Sequence, residues 1–255
     1  MDAIVAWDAE TPQWPEVLAV GDGKAPSAKL SATIMWRIYG PLCEARAQRR
    51  GFVIGQAGQS LDGRIATASG HSHYINGPAA IVHLHRLRAL VDAVVVGVGT
   101  VVADNPRLTV RGIEGPQPAR VVIDPNGRAP VDAKCFAADG VRRIVLSRVL
   151  SRAAGQANAE YAVLAQFTPA AILGALRDRG LMRVLVEGGA ATLSHFLAGR
   201  VLDRLHVMTA PLIIGSGKPG LVLPEIATLK DALRPATATY LLPGGDVLFD
   251  CDFRA

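Results

Sequence analysis

From Gly51 onward the chain alternates short, unbroken apolar runs with stretches of helical spacing, and no other feature constrains the fold as much. Phe52 to Ala57, Val94 to Gly97, Arg120 to Asp124, Arg143 to Ser147 and Arg183 to Glu187 read as strands covered on both sides. Ala79 to Leu90, Pro169 to Arg179 and Ala190 to Leu197 read as helices between or after them. Strands that alternate with helices predict an α/β fold, a central and mostly parallel sheet with helices on both faces. Late strands are expected at Leu205 to Ile214 and Asp246 to Phe253. They are expected to be antiparallel, because no helix-length connector follows Ile214 until Ala227 to Leu233.

The first fifty residues read differently. Trp7, Pro12, Trp14, Pro15 and the run Gly21 to Pro26 mix turn-formers with isolated aromatics, and Ala28 to Arg50 then predicts a helix interrupted near Gly40-Pro41. The expectation is an N-terminal extension, residues 1–50, packed on a domain of residues 51–255 or on a partner subunit. Half of all residues are hydrophobic and 19% are charged, which supports a sizeable core and excludes extensive disorder. Cys43, Cys135 and Cys251 lie far apart with no CxxC spacing, which argues against a disulfide framework and a structural zinc site. The net charge of +5 comes from scattered arginines without interleaved aromatics, so a small anionic molecule is a better expected partner than nucleic acid. Asp2, Asp8 and Glu10 do not resemble a signal peptide, and the apolar run Ala93 to Ala103 is too short to span a bilayer. A cytoplasmic protein with no membrane partner is expected.

Two strand ends carry the chemistry. The run Val94 to Gly97 leads directly into Gly97-Val98-Gly99-Thr100, then into the polar, proline-stiffened loop Asp104 to Arg111. Val186-Glu187 leads into Gly188-Gly189-Ala190-Ala191-Thr192 and a helix. Glycines there let backbone N–H groups approach a ligand, and a helix start favours phosphate. Two such turns in one sheet suit a cofactor with several phosphates. Glu187 ends its strand where a carboxylate either points into a crevice or caps the next helix. His83 and His85 are two apart on a helix and point to different faces. They do not suit a shared metal, and none is expected.

In order and at compatible spacing, Ser60 to Ala66, Gly70-His71-Ser72, Leu87-Arg88-Ala89, Gly99-Thr100, Asp104 to Arg111 and Glu187-Gly188-Gly189 resemble the riboflavin-biosynthesis reductases. These are the C-terminal domain of the bacterial bifunctional deaminase/reductase and the stand-alone archaeal and fungal enzymes. The resemblance implies a dihydrofolate-reductase-like fold, NADPH, a homodimer, and reduction of a phosphorylated ribosylamino-pyrimidine to its ribitylamino product. It implies NADPH contacts at Gly58, Tyr74, Thr100, Asp104 and Gly188, with the pyrophosphate held by Gly189, Ala190, Ala191, Thr192, Leu193, Ser194 and His195. It places Ser72, Arg88, Leu108, Arg111 and Glu187 against the substrate, with Arg88 and Arg111 meeting its phosphate and Glu187 catalytic between cofactor and sugar. Arg128 and Ser147-Arg148 each follow a strand end, where an adenosine 2′-phosphate would be met. Gln56 stands where many bacterial members carry lysine, Pro125 where they carry a hydroxyl residue, and Tyr74 where they carry tryptophan. The deaminase's HAE and PCxxC motifs are absent, so no deaminase activity is expected. The alternatives are a reductase of another pterin- or pyrimidine-like compound and an NADPH-sensing module without turnover. Open edges on the apolar late strands would also favour a homodimer.

Overall fold

The computed structural model describes residues 5–6, 12–73, 75–149 and 159–254. The N-terminal segment forms β1 (Val5–Ala6), α1 (Trp14–Gly21), α2 (Ala28–Ser31) and α3 (Ile34–Ala47). Next come β2 (Phe52–Ser60), β3 (Arg64–Ala66), α4 (Pro78–Leu90), β4 (Ala93–Gly97), α5 (Val98–Asp104), β5 (Ala119–Ile123), β6 (Arg143–Ser147) and β7 (Glu160–Val163). The chain continues through α6 (Pro169–Arg177), β8 (Arg183–Glu187), α7 (Ala190–Ala198), β9 (Arg204–Ala210) and β10 (Lys218–Pro219), and ends with β11 (Ala236–Leu241) and β12 (Val247–Asp252).

Side chains alternate across a strand, so the central strands divide their residues between two cores. Ile54, Val94, Val96 and Leu185 join α1, α3 and α4 on one face, while Val53, Val95, Val184 and Val186 meet α6 and α7 on the other. The main sheet runs β1-β11-β12-β9-β2-β8-β4-β5-β6-β7. From β9 to β7 every neighbouring pair is parallel. After building outward from β4 to β7, the chain returns to insert β8 between β4 and β2. The glycine turns after β4 and β8 therefore lie side by side at the carboxyl ends of adjacent strands, where open α/β sheets bind ligands.

Three expectations are revised. β9 stops at Ala210, short of Ile214; it pairs antiparallel with β12, as expected of the late strands, and in parallel with β2, and the unforeseen β11 adds a further antiparallel strand. β9 and β12 each have a strand on both sides, so neither offers the open edge that was to favour a dimer. The stretch Ala227 to Leu233 contains only a short 3₁₀ turn, Leu229–Asp231.

α3 also runs unbroken through Pro41. A proline inside a helix leaves the carbonyl four residues earlier without its N–H partner. Here Arg204 Nη1 donates to that carbonyl, Arg37 O, at 3.2 Å and to Ile38 O at 3.3 Å. Arg204 also pairs with buried Asp250, its Nη1 3.3 Å from Oδ2. Val17, Ile38, Tyr39 and Leu42 share one core with Phe52, Leu87 and Leu90, so α1 and α3 pack on the same face of the sheet as α4. Tyr39 Oη lies 2.8 Å from His83 Nδ1, His83 Nε2 3.1 Å from His206 Nδ1, and His206 Nε2 3.1 Å from Asp250 Oδ1. With the carboxylate as acceptor at the end, each ring donates from Nε2 and accepts at Nδ1. Burial, with His206 and Arg86 nearby, pushes the His83 pKa well down.

Candidate active site

Two cavities meet outside β4 and β8, sharing Ile65, Thr100, Asp104 and Gly189. The larger, of about 620 Å³, has one wall made by Gly97 to Thr100 and Gly189 to Thr192, with Pro125 and Arg128 at one end. The ribbon of β3 and β10 also lines it, through Ile65, Ala66, Lys218 and Pro219, as does Ser72. The smaller, of about 240 Å³, runs past Gln56, Gly58 and Leu108 to Glu187 and Gly188.

The two glycine turns are joined to each other. Gly189 N donates to Thr100 Oγ1 at 3.0 Å, tying the start of α7 to the first turn of α5. A Cβ on Gly97 would lie 2.4 Å from Thr192 Oγ1, so a side chain there would displace the Thr192 hydroxyl that packs between the two turns. The two turns thus make one continuous backbone-lined wall of the groove, which fits a diphosphate-bearing dinucleotide.

Glu187 sits at the inner end, 8% exposed. Arg88 Nε donates to its Oε1 at 2.7 Å and Arg88 Nη2 to its Oε2 at 2.6 Å, a bidentate pair. Arg88 Nη1 donates to Thr109 O at 2.9 Å. Glu187 does not cap α7, whose N-cap is Gly189 without a side-chain hydrogen bond. Nor is Arg88 a free phosphate receptor, because its guanidinium is committed to Glu187 and to the Asp104–Arg111 loop. That loop is sharply bent: Asn105 and Leu108 have φ of 42° and 56°, values uncommon outside glycine. The bend buries Leu108 and brings Arg111 within electrostatic reach of Arg88, Arg107 and Glu187. Desolvation, then Arg88 and Arg107, lower the Arg111 pKa, and Glu187 offsets this in part. Arg111 remains exposed, bonding Thr109 Oγ1 at 2.6 Å.

The remaining predicted residues divide. Gly58, Ser72, Thr100, Asp104, Arg128, Gly188, Gly189, Ala190, Ala191 and Thr192 line the cavities. Leu193 is fully buried in the core, Ser194 Oγ accepts from Val222 N at 2.8 Å, and His195 Nε2 lies 2.9 Å from Phe167 O. Only the first part of the expected pyrophosphate segment therefore faces the groove, since successive helix positions point in different directions. Ser147 is buried at the end of β6, and Arg148 lies 5.8 Å over the Phe167 ring; neither lines the groove. Tyr74 lies outside the described residues. His83 and His85 do diverge, His85 Nδ1 accepting from Arg111 N at 3.3 Å. Among the described residues no group of three or more His, Cys, Asp or Glu could hold a metal ion. No helix among them is long and apolar enough to cross a membrane. The sequence reading passed over Lys218 and gave Arg107 no role. Lys218 sits in Gly-Ser-Gly-Lys-Pro-Gly, which reads as a loop, and its one signal is a lone cation between turn-formers.

A family model described as the RibD C-terminal domain matches residues 51–237. The chain is 34% identical over 174 residues to the riboflavin biosynthesis protein RibD of Aquifex aeolicus, covering 67% of this chain and 49% of that protein. It is 33% identical over 212 residues to the 2,5-diamino-6-ribosylamino-4(3H)-pyrimidinone 5′-phosphate reductase of Methanothermobacter thermautotrophicus, covering 79% of this chain and 97% of that protein. A crystal structure of a diaminohydroxyphosphoribosylaminopyrimidine deaminase/5-amino-6-(5-phosphoribosylamino)uracil reductase from Thermotoga maritima superposes with a TM-score of 0.72 at 27% identity. It covers 83% of this chain and 59% of that one. The chain thus spans about half the length of the bacterial RibD relative and nearly all of the archaeal one. By the match over residues 51–237, the chain belongs to the RibD C-terminal domain family.

Proposed function

We propose that the protein is an NADPH-dependent reductase of a phosphorylated ribosylamino-pyrimidine, forming the ribitylamino product in riboflavin biosynthesis. One observation carries the reading: a groove lined by two hydrogen-bonded glycine turns opens directly onto a buried carboxylate clasped by Arg88. NADPH, when bound, supplies the hydride for the sugar C1 carbon. Gly188 to Thr192, Thr100 and Asp104 receive the dinucleotide, with Arg128 at the adenosine end. Each Glu187 oxygen keeps a lone pair beyond its bond to Arg88, so the carboxylate accepts from sugar hydroxyls and turns the reacting carbon toward the groove. Arg88 is a positioning residue. Arg111 and Arg107 take the substrate phosphate, which relieves the repulsion among the clustered guanidiniums.

Residues 51–255 form the reductase domain in this reading, and residues 1–50 an extension whose α1 and α3 cover one face of its sheet. The protein acts in the cytoplasm as a homodimer, which light scattering tests. The activity test mixes enzyme and NADPH with the diamino and the deaminated ribosylamino-pyrimidine phosphates in turn. NADPH consumption with a product heavier by two hydrogens is expected for one of them. NADPH binding without turnover of either would refute the reading in favour of a reductase of another pterin- or pyrimidine-like compound or a sensing module.

A further inference from the structure

The ribbon of β3 and β10 stands outside the main sheet and is fastened at both ends. Asp62 Oδ1 accepts from Ser60 Oγ at 2.6 Å and from Ile214 N at 3.0 Å, and its Oδ2 accepts from Gly215 N at 2.7 Å. These bonds hold the Asp62 pKa down at about 2, the Ser60 hydroxyl contributing most. Beyond β10, Gly220 N donates to Gly63 O at 2.9 Å and Val222 N to Ser194 Oγ of α7 at 2.8 Å. A Cβ on Gly217 would lie 2.2 Å from Ala66 O, so glycine is what lets β10 lie this close to β3. The segment carrying Lys218 is therefore stitched to the loop after β2 on one side and to α7 on the other. It lines the larger cavity together with the glycine turns.

Lys218 lines that cavity and is exposed. Its Nζ lies 3.2 Å from the position a Cβ would take on Gly70, so the missing side chain at Gly70 leaves room for the ammonium. Among the described residues Lys218 has neither an ion pair nor a side-chain hydrogen bond. Three positive features converge on one space: Lys218, Arg128 and the N–H groups at the start of α7. Asp104 is the only carboxylate among the residues lining it. Positive groups facing each other across a groove repel unless an anion lies between them.

We propose that Lys218 is an anion-binding arm of this groove, reaching from the ribbon to the diphosphate of a dinucleotide whose other side rests on the start of α7. The proposal rests on the reading of the groove as the dinucleotide site. It makes the ribbon a binding element of that site, in addition to the two glycine turns.

The test measures NADPH binding to the full chain by calorimetry at several salt concentrations, for wild type and for Lys218→Met, Lys218→Gln and Lys218→Arg. Lys218→Met and Lys218→Gln are expected to weaken NADPH about tenfold or more and to flatten the salt dependence. Lys218→Arg should keep most of the affinity, and all three should melt with wild type because the side chain is exposed. Wild-type NADPH affinity and salt dependence in Lys218→Met would overturn the proposal. So would unchanged NADPH affinity with weakened binding of the pyrimidine phosphate, which would assign the lysine to the substrate. If wild type binds no NADPH, the dinucleotide reading fails and the proposal with it; that outcome is told apart because it appears without any substitution.

Discussion

Replacing Glu187 separates two roles that the structure joins in one side chain. The Glu187 and Arg88 side chains are 11% and 7% exposed, and two bonds of 2.7 and 2.6 Å link them. Removing one partner of a buried pair leaves the other charge uncompensated, at a cost of roughly 3–5 kcal/mol. Glu187→Gln retains one acceptor, so its cost falls near the lower end, about 3 kcal/mol. For a chain of this size that lowers Tm by roughly 6–12 °C. A neutral pair of similar volume, Arg88→Met with Glu187→Met, removes both charges and is expected to recover most of the lost stability. Activity should not follow stability. If Glu187 accepts from the substrate's sugar hydroxyls, kcat/KM falls at least tenfold in Glu187→Gln, over 1.4 kcal/mol of transition-state stabilisation, and stays low in the double variant. The assay pairs denaturant melts with NADPH turnover on the same preparations. Recovery of both stability and turnover in the double variant would refute the argument, because Glu187 would then be only the counter-ion of Arg88. A Glu187→Gln protein as stable as wild type would refute the energetic part.

Arg128→Ala should raise the KM for NADPH about tenfold and leave NADH use unchanged, since a charged hydrogen bond contributes about 1.5–3 kcal/mol. Arg148→Ala should change neither, because Arg148 lies over Phe167, and equal effects of the two in steady-state kinetics would refute this assignment. Arg204→Met should destabilise by about 3–5 kcal/mol in urea melts, through unpaired Asp250 and the freed Arg37 carbonyl before Pro41; a near-neutral effect would show that α3 tolerates Pro41 unaided. Burial, then Arg88 and Arg111, lowers the His85 pKa from 6.5 to about 4. Below pH 6.5 the unfolded chain takes up a proton that the folded one refuses, so stability at this group is lost as pH falls from about 6.5 to 4. His85→Gln should flatten melts over that window by on the order of 2 kcal/mol, and an unchanged pH profile would refute the assignment.

The apolar runs of β4, β5 and β8 were legible in the sequence because strands covered on both faces need nearly every side chain apolar, and the β-branched Val94-Val95-Val96 favours a strand over a helix. The glycine turns after β4 and β8 were legible for a similar reason: a glycine at a strand end marks a backbone that must come close to something. What these turns approach was not legible. That Thr100 bonds Gly189, that Arg88 clasps Glu187, and that β8 slots between β4 and β2 depend on contacts 89, 99 and more residues apart in the chain. Local spacing carries no record of such partners. Arg88 could therefore be expected to face a phosphate when it faces a carboxylate, and Leu193 to His195 to face the groove when helix geometry turns them into the core and onto neighbouring loops. Pro41 shows the same limit in reverse. Its local effect is to break a helix, and only Arg204, brought from β9, supplies the hydrogen bond that keeps α3 whole. The sequence determined which segments are buried and where backbone must come close to a neighbour, because those follow from each residue's own chemistry. Tertiary structure decided which charges neutralise one another and which stay exposed, because pairing is a property of position in space.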